Sequence, residues 1–263
     1  MSDTPPPRLL VFGDSLSFHG PDRGYPADDE RLWPNVAARS LGGVADLVAR
    51  AGWTARDAWW AMIGDPRVWA ELHRADVVVL AVGSMDTVPS PLPTYLRTGL
   101  RYLRPDSLRR AARRTYLAAQ PVLSVALRGR PSALPPRLTV RYLDLAVSAL
   151  RALRPSLPVV GWLPSVHRAA SYGYVQTVRP RTAVAVSRWA ADVGVPLLDV
   201  PAVVGAHVLG GHGNPDGMHW GWDGHALVGK AMAELIRPLL TRRGNSTSST
   251  PDTSDSERVR HVG

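Results

Sequence analysis

The 263-residue chain contains no cysteine. That excludes disulfide staples, thiolate-held metals and a cysteine nucleophile. No apolar run approaches the ~20 residues a membrane-crossing helix needs, so no membrane span is expected. The opening "MSDTPPPRLLVFGDS" lacks the pattern of a cleavable signal peptide, because its only apolar run is short and continues into Gly-Asp-Ser. These features together lead to the expectation of a cytoplasmic protein. Lysine is nearly absent too: of 31 basic residues only Lys230 is a lysine, and the formal net charge is +9.

The basic surplus is concentrated. Between Arg97 and Arg130 nine arginines stand against one acid, Asp106. Such a stretch is either a solvated helix face or a surface for phosphates. The near-exclusive use of arginine suggests a codon bias that puts it wherever a cation is tolerated. No nucleic-acid recognition motif accompanies it, so nucleic acid is not an expected partner. With 45% hydrophobic and 20% charged residues, the chain has the composition of a soluble globular domain. Its length suits one large α/β domain with a substantial core.

Five short β-type runs stand out: Arg8–Phe12, Val44–Val48, Asp76–Val82, Leu157–Leu163 and Pro196–Val200. "VVVLAV" and "PVVGWL" are continuous apolar runs, as in strands buried on both faces. Helix-type segments lie between them, at Trp33–Leu41, Ala55–Ala61 with Pro66–His73, Thr139–Leu153 and Arg181–Val193. A last amphipathic helix is expected over Gly224–Leu240 with Asp223 as its N-cap. Alternation of this kind predicts a parallel five-stranded sheet with helices on both faces, its chemistry beyond the strands' C-terminal ends. The segment 88–136 interrupts the pattern after the third strand. It reads as an insertion of two helices, Thr94–Leu103 and Ser107–Leu127, held by proline-marked breaks. Its position suits a lid, an acyl-chain tunnel or the surface of a homodimer. The domain is expected to span residues 1–240. The polar, Ser/Thr-rich stretch 241–263 reads as a disordered tail.

The first run ends in "FGDSL", which sets Ser15 immediately after a strand. A serine hydroxyl is a weak nucleophile that needs an oriented imidazole beside it. "DGMHW" offers one near the other end of the chain, where Asp216 and His219 are three residues apart. In a compact turn that spacing brings the carboxylate to Nδ1 and leaves Nε2 for a serine.

With these blocks the chain resembles the SGNH, or GDSL, hydrolase superfamily. The resemblance implies a three-layer α/β/α, flavodoxin-like fold, with Ser15, His219 and Asp216 as the catalytic set. It also implies an oxyanion hole from the backbone N–H groups of Ser15 and of Gly52, in "AGWTARD". No metal or other cofactor is implied. The third block departs from the superfamily pattern. "VGSMD" carries Met85 where the pattern has an asparagine, whose amide is a third oxyanion donor, and Ser84 is a candidate substitute. Longer stretches, including "AGWTARDAWWAMIGDPRVWA", "GSMDTVPSPLPTYLR" and "WLPSVHRAASYG", resemble one branch, the diglucosylglycerate octanoyltransferase family. That branch implies octanoyl transfer from octanoyl-CoA, as co-substrate, to a glucose hydroxyl of diglucosylglycerate, a step toward methylglucose lipopolysaccharides.

Candidate substrate-binding residues follow from these blocks: Trp53, Arg56, Ser84, Met85, Asp86, Ser165, His167 and Trp220. Tryptophan rings suit the apolar faces of sugars, so Trp59, Trp60 and Trp222 join the candidates, core packing being the alternative for Trp59 and Trp60. Arg56 suits a glycerate carboxylate and the 97–130 arginines suit CoA phosphates. His225 reads as structural. Two rival readings stay open: an esterase or thioesterase with water as acceptor, and a catalytically silent carbohydrate- or acyl-CoA-binding protein.

Overall fold

The computed structural model describes residues 5–92, 96, 99 and 102–247. Five parallel strands form one sheet: β1 (Arg8–Gly13), β2 (Val44–Ala49), β3 (Val77–Ala81), β4 (Val159–Trp162) and β5 (Leu197–Leu198). Their spatial order is β2-β1-β3-β4-β5. The helices are α1 (Trp33–Ser40), α2 (Ala55–Gly64), α3 (Pro66–Arg74), α4 (Asp106–Ala126), α5 (Pro136–Leu153), α6 (Arg179–Val193), α7 (Val200–Leu209) and α8 (Trp222–Thr247).

Strand periodicity divides the core in two. Leu10, Phe12, Val78 and Leu80 face one side and pack under α2, α3, α5 and α6. Leu9, Val11, Val77 and Val79 face the other and pack under α1, α7 and α8. Successive side chains on a strand point to opposite faces, so a strand covered on both sides must be apolar throughout. The result is the expected three-layer α/β/α architecture.

Local chemistry sets the helix boundaries. At the start of α2 the Asp57 carboxylate accepts from both the N–H and the hydroxyl of Thr54, at 2.9 and 2.6 Å. Asp65 caps α3 by accepting from the Arg67 N–H. Asp199 caps α7, accepting from the Ala202 N–H at 3.1 Å. That cap cuts β5 short at Leu198, and the sequence reading, which ran the strand to Val200, missed α7. Asp223 lies inside the first turn of α8 and is not its cap. The helix also continues to Thr247, through the first residues of the expected tail, while residues 248–263 lie outside the described ones.

The 88–136 insertion leaves and returns as a short antiparallel pair. Ser90 N–H donates to Pro131 O at 2.8 Å, and Ala133 N–H to Val88 O at 3.0 Å. Pro121 sits inside α4, as it does inside the expected helix Ser107–Leu127. Its missing N–H deprives the Leu117 carbonyl of a helical partner, on a turn that is exposed, with Leu117 51% accessible. The other expected helix, Thr94–Leu103, falls mostly outside the described residues. Among the described residues no helix is long and apolar enough to cross a membrane.

The register brings three strand ends level. Gly13 of β1 pairs with Ala49 of β2 on one side and Ala81 of β3 on the other. The three loops that follow therefore emerge together. Asp86, fully buried just beyond β3, ties them to the helices. Its carboxyl accepts from the Ala55 N–H at the start of α2, at 3.1 Å, and from the Thr139 hydroxyl in α5, at 2.8 Å. Burial pushes that carboxyl up to about 7 against the lowering effect of both bonds. Asp86→Asn keeps an acceptor oxygen there and should lower the unfolding free energy by less than about 1 kcal/mol, whereas Asp86→Ala orphans two buried donors and should cost roughly 1–3 kcal/mol. Urea melts of the two variants beside the parent chain check this.

Candidate active site

The turn after β1 is built around one glycine and one carboxylate. A Cβ at Gly13 would come within 2.1 Å of the Ser17 hydroxyl oxygen, so only glycine lets the chain fold back there. Asp14 caps the 3-10 turn Ser15–Ser17 by accepting from the Leu16 N–H at 2.9 Å. Asp14 is fully buried, and burial pushes its carboxyl up to about 7 although that bond works the other way. Ser15 is thereby held at the end of β1, an interior strand of the sheet, 5% exposed.

The partner groups come from the turn before α8. The Asp216 carboxylate accepts from the N–H groups of Met218 and His219 at 2.8 and 3.0 Å. Gly217 has φ +72° and sits against the chain of Arg168, where any Cβ would strike the Arg168 carbonyl. The turn is thus locked from both sides. His219 Nδ1 lies 2.5 Å from Asp216 Oδ2, and His219 Nε2 lies 2.8 Å from Ser15 Oγ. Burial resists ionisation of Asp216, but the hydrogen bonds from the His219 ring and from the His219 and Met218 N–H groups prevail and hold it at about 2. An ionised Asp216 assigns the Nδ1 proton to His219 and leaves Nε2 free to accept from the Ser15 hydroxyl. The arrangement can generate an oxygen nucleophile and shuttle its proton.

The two backbone N–H groups expected as oxyanion donors lie in neighbouring loops, after β1 and after β2. Gly52, three residues beyond β2, has φ +76°, a left-handed conformation that favours glycine. Neither its N–H nor that of Ser15 donates to another described residue.

The remaining expected site residues divide into groups. Met85, Ser84, Ser165 and His167 line one small pocket with Leu16, Val88, Val166 and Met218. Ser84 Oγ accepts from the Ser165 N–H at 3.0 Å and so joins the loops after β3 and β4. His167 Nδ1 accepts from the Ala169 N–H, and burial first, then the Arg179 charge, lowers its ring to about 4. Arg56 lies half-buried in the first turn of α2, 3.9 Å from Asp57. Trp53 and Trp59 pack partly buried against the core, while Trp60 is 63% exposed.

Two expectations are corrected. Asp86 is sealed inside by Ala55 and Thr139 and presents nothing to a substrate. Trp220, next to His219 in sequence, has its ring wholly buried between Trp162 and His225. Because α8 begins two residues later, the chain turns inward at that point and carries the indole into the core. Trp222 is the one left near the surface, edge-on to Tyr25 and beneath the Arg31 guanidinium at 4.0 Å.

One neighbour of the relay carried no role in the sequence reading. The His19 ring stacks on His219 with centroids 3.9 Å apart and planes at 21°. Its only signal in the sequence was its place four residues after Ser15. His225, read as structural, accepts at Nδ1 from the Trp33 N–H and faces the His19 carbonyl with Nε2, both at 3.1 Å. Among the described residues no group of three or more His, Asp or Glu gathers to hold a metal ion.

Comparison with known proteins agrees with this geometry. A diglucosylglycerate octanoyltransferase of Mycolicibacterium hassiacum is 50% identical over 238 residues, covering 90% of this chain and 96% of its own length. The enzyme of the same name from Mycobacterium tuberculosis is 46% identical over 238 residues, covering 90% and 94%. A lipase/acylhydrolase of Enterococcus faecalis shares the fold at 13% identity, with a TM-score of 0.58 over 88% of this chain and 96% of its own. Residues 11–227 match the model of the GDSL-like lipase/acylhydrolase family, and the chain belongs to that family.

Proposed function

We propose that this protein transfers an octanoyl group from octanoyl-CoA to a sugar hydroxyl of diglucosylglycerate, in the cytoplasm, through an acyl-Ser15 intermediate and without a metal or redox cofactor. The observation that carries the reading is the Ser15–His219–Asp216 relay in a chain half identical to an enzyme of that name.

The chemistry follows from the atoms at hand. Ser15 Oγ attacks the thioester carbonyl carbon while His219 Nε2 takes its proton. Asp216 stabilises the imidazolium, and the N–H groups of Ser15 and Gly52 receive the oxyanion. The C–S bond breaks, and His219 returns the proton to the departing CoA sulfur. A glucose hydroxyl then attacks the acyl-serine, giving its proton to His219. Collapse of the second tetrahedral intermediate forms the sugar ester and reprotonates Ser15. Water would serve equally well in that second half, so transfer requires the sugar to be held in attack geometry.

The surroundings support this assignment. A small pocket beside the Ser15 turn, lined by Leu16, Met85, Val88, Val166 and Met218 together with Ser84, Ser165 and His167, is proposed to meet the acyl chain where it joins Ser15, and it would have to open to take the rest. Thioether side chains adapt readily to such a guest. Trp53 and the exposed Trp60 are proposed to meet sugar rings, Arg56 the glycerate carboxylate, and the exposed arginines of α4 the CoA phosphates.

The test is mass spectrometry of the purified protein with octanoyl-CoA, with and without diglucosylglycerate. An octanoyl adduct on Ser15 that persists in water and clears when the glycoside is added, yielding acylated glycoside, is expected; Ser15→Ala should form none. An adduct that clears equally fast without glycoside would make the protein a hydrolase. No adduct and no turnover would make it a binding protein. Met85→Asn places an amide where the superfamily has one. A third oxyanion donor can be worth roughly 10²–10³ in rate, so hydrolysis of p-nitrophenyl octanoate should rise. A fall in that rate would mean that Met85 serves acyl packing.

A further inference from the structure

The loop of residues 18–25 holds His19 in an unusually determined place. The His19 N–H donates to Ser15 O at 2.8 Å, Gly20 N–H to Arg23 O at 2.8 Å, and Tyr25 N–H to Phe18 O at 2.8 Å, closing the loop on itself. The Asn214 side-chain amide donates to Gly20 O at 3.3 Å, which fastens the loop to the turn that carries Asp216 and His219. His225 Nε2 fastens it to α8 through the His19 carbonyl. A Cβ at Gly20 would come within 2.8 Å of the Trp222 and Tyr25 rings, so the loop has no room to shift.

The His19 side chain is determined as well. Its Nδ1 lies 3.0 Å from the Gly20 carbonyl, which can only accept, so Nδ1 carries the proton. The ring is then laid flat against His219 at 3.9 Å. Nothing in the relay uses it: Ser15 and Asp216 take both nitrogens of His219 from the ring edge, and His19 covers a face. Burial, then the neighbouring His219, lowers the His19 ring below the ordinary imidazole value, which favours a neutral partner in the stack.

We propose that His19 is a positioning residue: stacked on His219, it fixes the plane of the general base and closes that face of the imidazole to water. The inference rests on the relay assigned above and adds to it a support for the base. A histidine held only at its two edge nitrogens can still rock about its Cβ–Cγ bond. Such rocking carries Nε2 and its lone pair off the line to Ser15 Oγ, and proton transfer depends steeply on that alignment. A flat ring packed on one face removes the freedom without competing for either nitrogen.

The experiment compares His19→Ala and His19→Phe with the parent chain, using p-nitrophenyl octanoate hydrolysis, octanoyl transfer to diglucosylglycerate, and thermal melts. His19→Ala should lower kcat for the ester by about 10–100-fold with KM changed less than about twofold, since misaligned groups lose rate rather than binding. It should also raise the share of acyl-enzyme lost to water. His19→Phe keeps a flat ring and should recover kcat to within about threefold of the parent. An unchanged kcat in His19→Ala overturns the proposal. So does a His19→Phe no better than His19→Ala in a folded protein, because the nitrogens and not the ring plane would then matter. The ester assay needs no sugar, so it reads His19 even where the parent chain fails to acylate diglucosylglycerate, and the two failures are told apart.

Discussion

The 2.8 Å contact between Ser15 Oγ and His219 Nε2 joins residues 204 apart in the chain, and most of the surrounding structure serves to keep its two ends in place. One end hangs from β1, an interior strand of the sheet, the other from the turn that leads into α8. A single buried imidazole braces the two. His225, within the first turn of α8, accepts from the Trp33 N–H of α1 and reaches the carbonyl of His19 in the loop after Ser15. Burial lowers its ring to about 4. At neutral pH it therefore stays uncharged, with one nitrogen accepting and the other donating, which is the state both bonds require.

A second set of links runs across the sheet. The loops after β2, β1 and β3 emerge side by side because their last residues are paired in register. Asp86 connects the loop after β3 with the helix that follows Gly52, and Ser84 connects it with the loop after β4. Ligand and reaction sites in open parallel sheets gather at this edge because helices and strands there turn over and leave polar backbone groups facing outward. Here two of those groups, the Ser15 and Gly52 N–H, carry no bond to the described chain. Asp14 and Asp86 are fully buried beneath them, each with its carboxyl pushed up to about 7. Burying two carboxyls opposes folding. What it secures is the shape of the two turns that carry Ser15 and Met85.

Met85 has no side-chain hydrogen-bond donor where the superfamily pattern has an asparagine. It lines a small pocket with Leu16, Val88, Val166 and Met218 and with the polar Ser84, Ser165 and His167. In the proposed reaction a thioether there would favour a fatty acyl group over water. That would suit an acyl-serine that has to survive until the proposed sugar acceptor arrives. The role proposed for the stacked His19 points the same way, since its ring covers one face of the His219 imidazole.

The strands, the helix pairs and the three residues of the relay were legible in the sequence, for identifiable reasons. Strands buried on both faces must be apolar runs, and "FGDSL" and "DGMHW" combine chemistry with backbone turns that few other residues can make. What was not legible depends on where neighbouring elements lie. Asp86 looked like a site residue because it closes the third block, yet α2 and α5 enclose it. Trp220 looked exposed to the site because it follows His219, yet the entry into α8 turns its ring inward. The cap at Asp199 was missed because the apolar run before it continues into the helix it starts. His19 could not be singled out at all, since a stack between residues 19 and 219 has no periodicity or spacing in the chain. Local chemistry is written in neighbouring residues and determined the fold class and the candidate reacting groups. Burial and ring stacking are relations between distant segments, so only the tertiary structure decided which of those groups face the site and what holds them there.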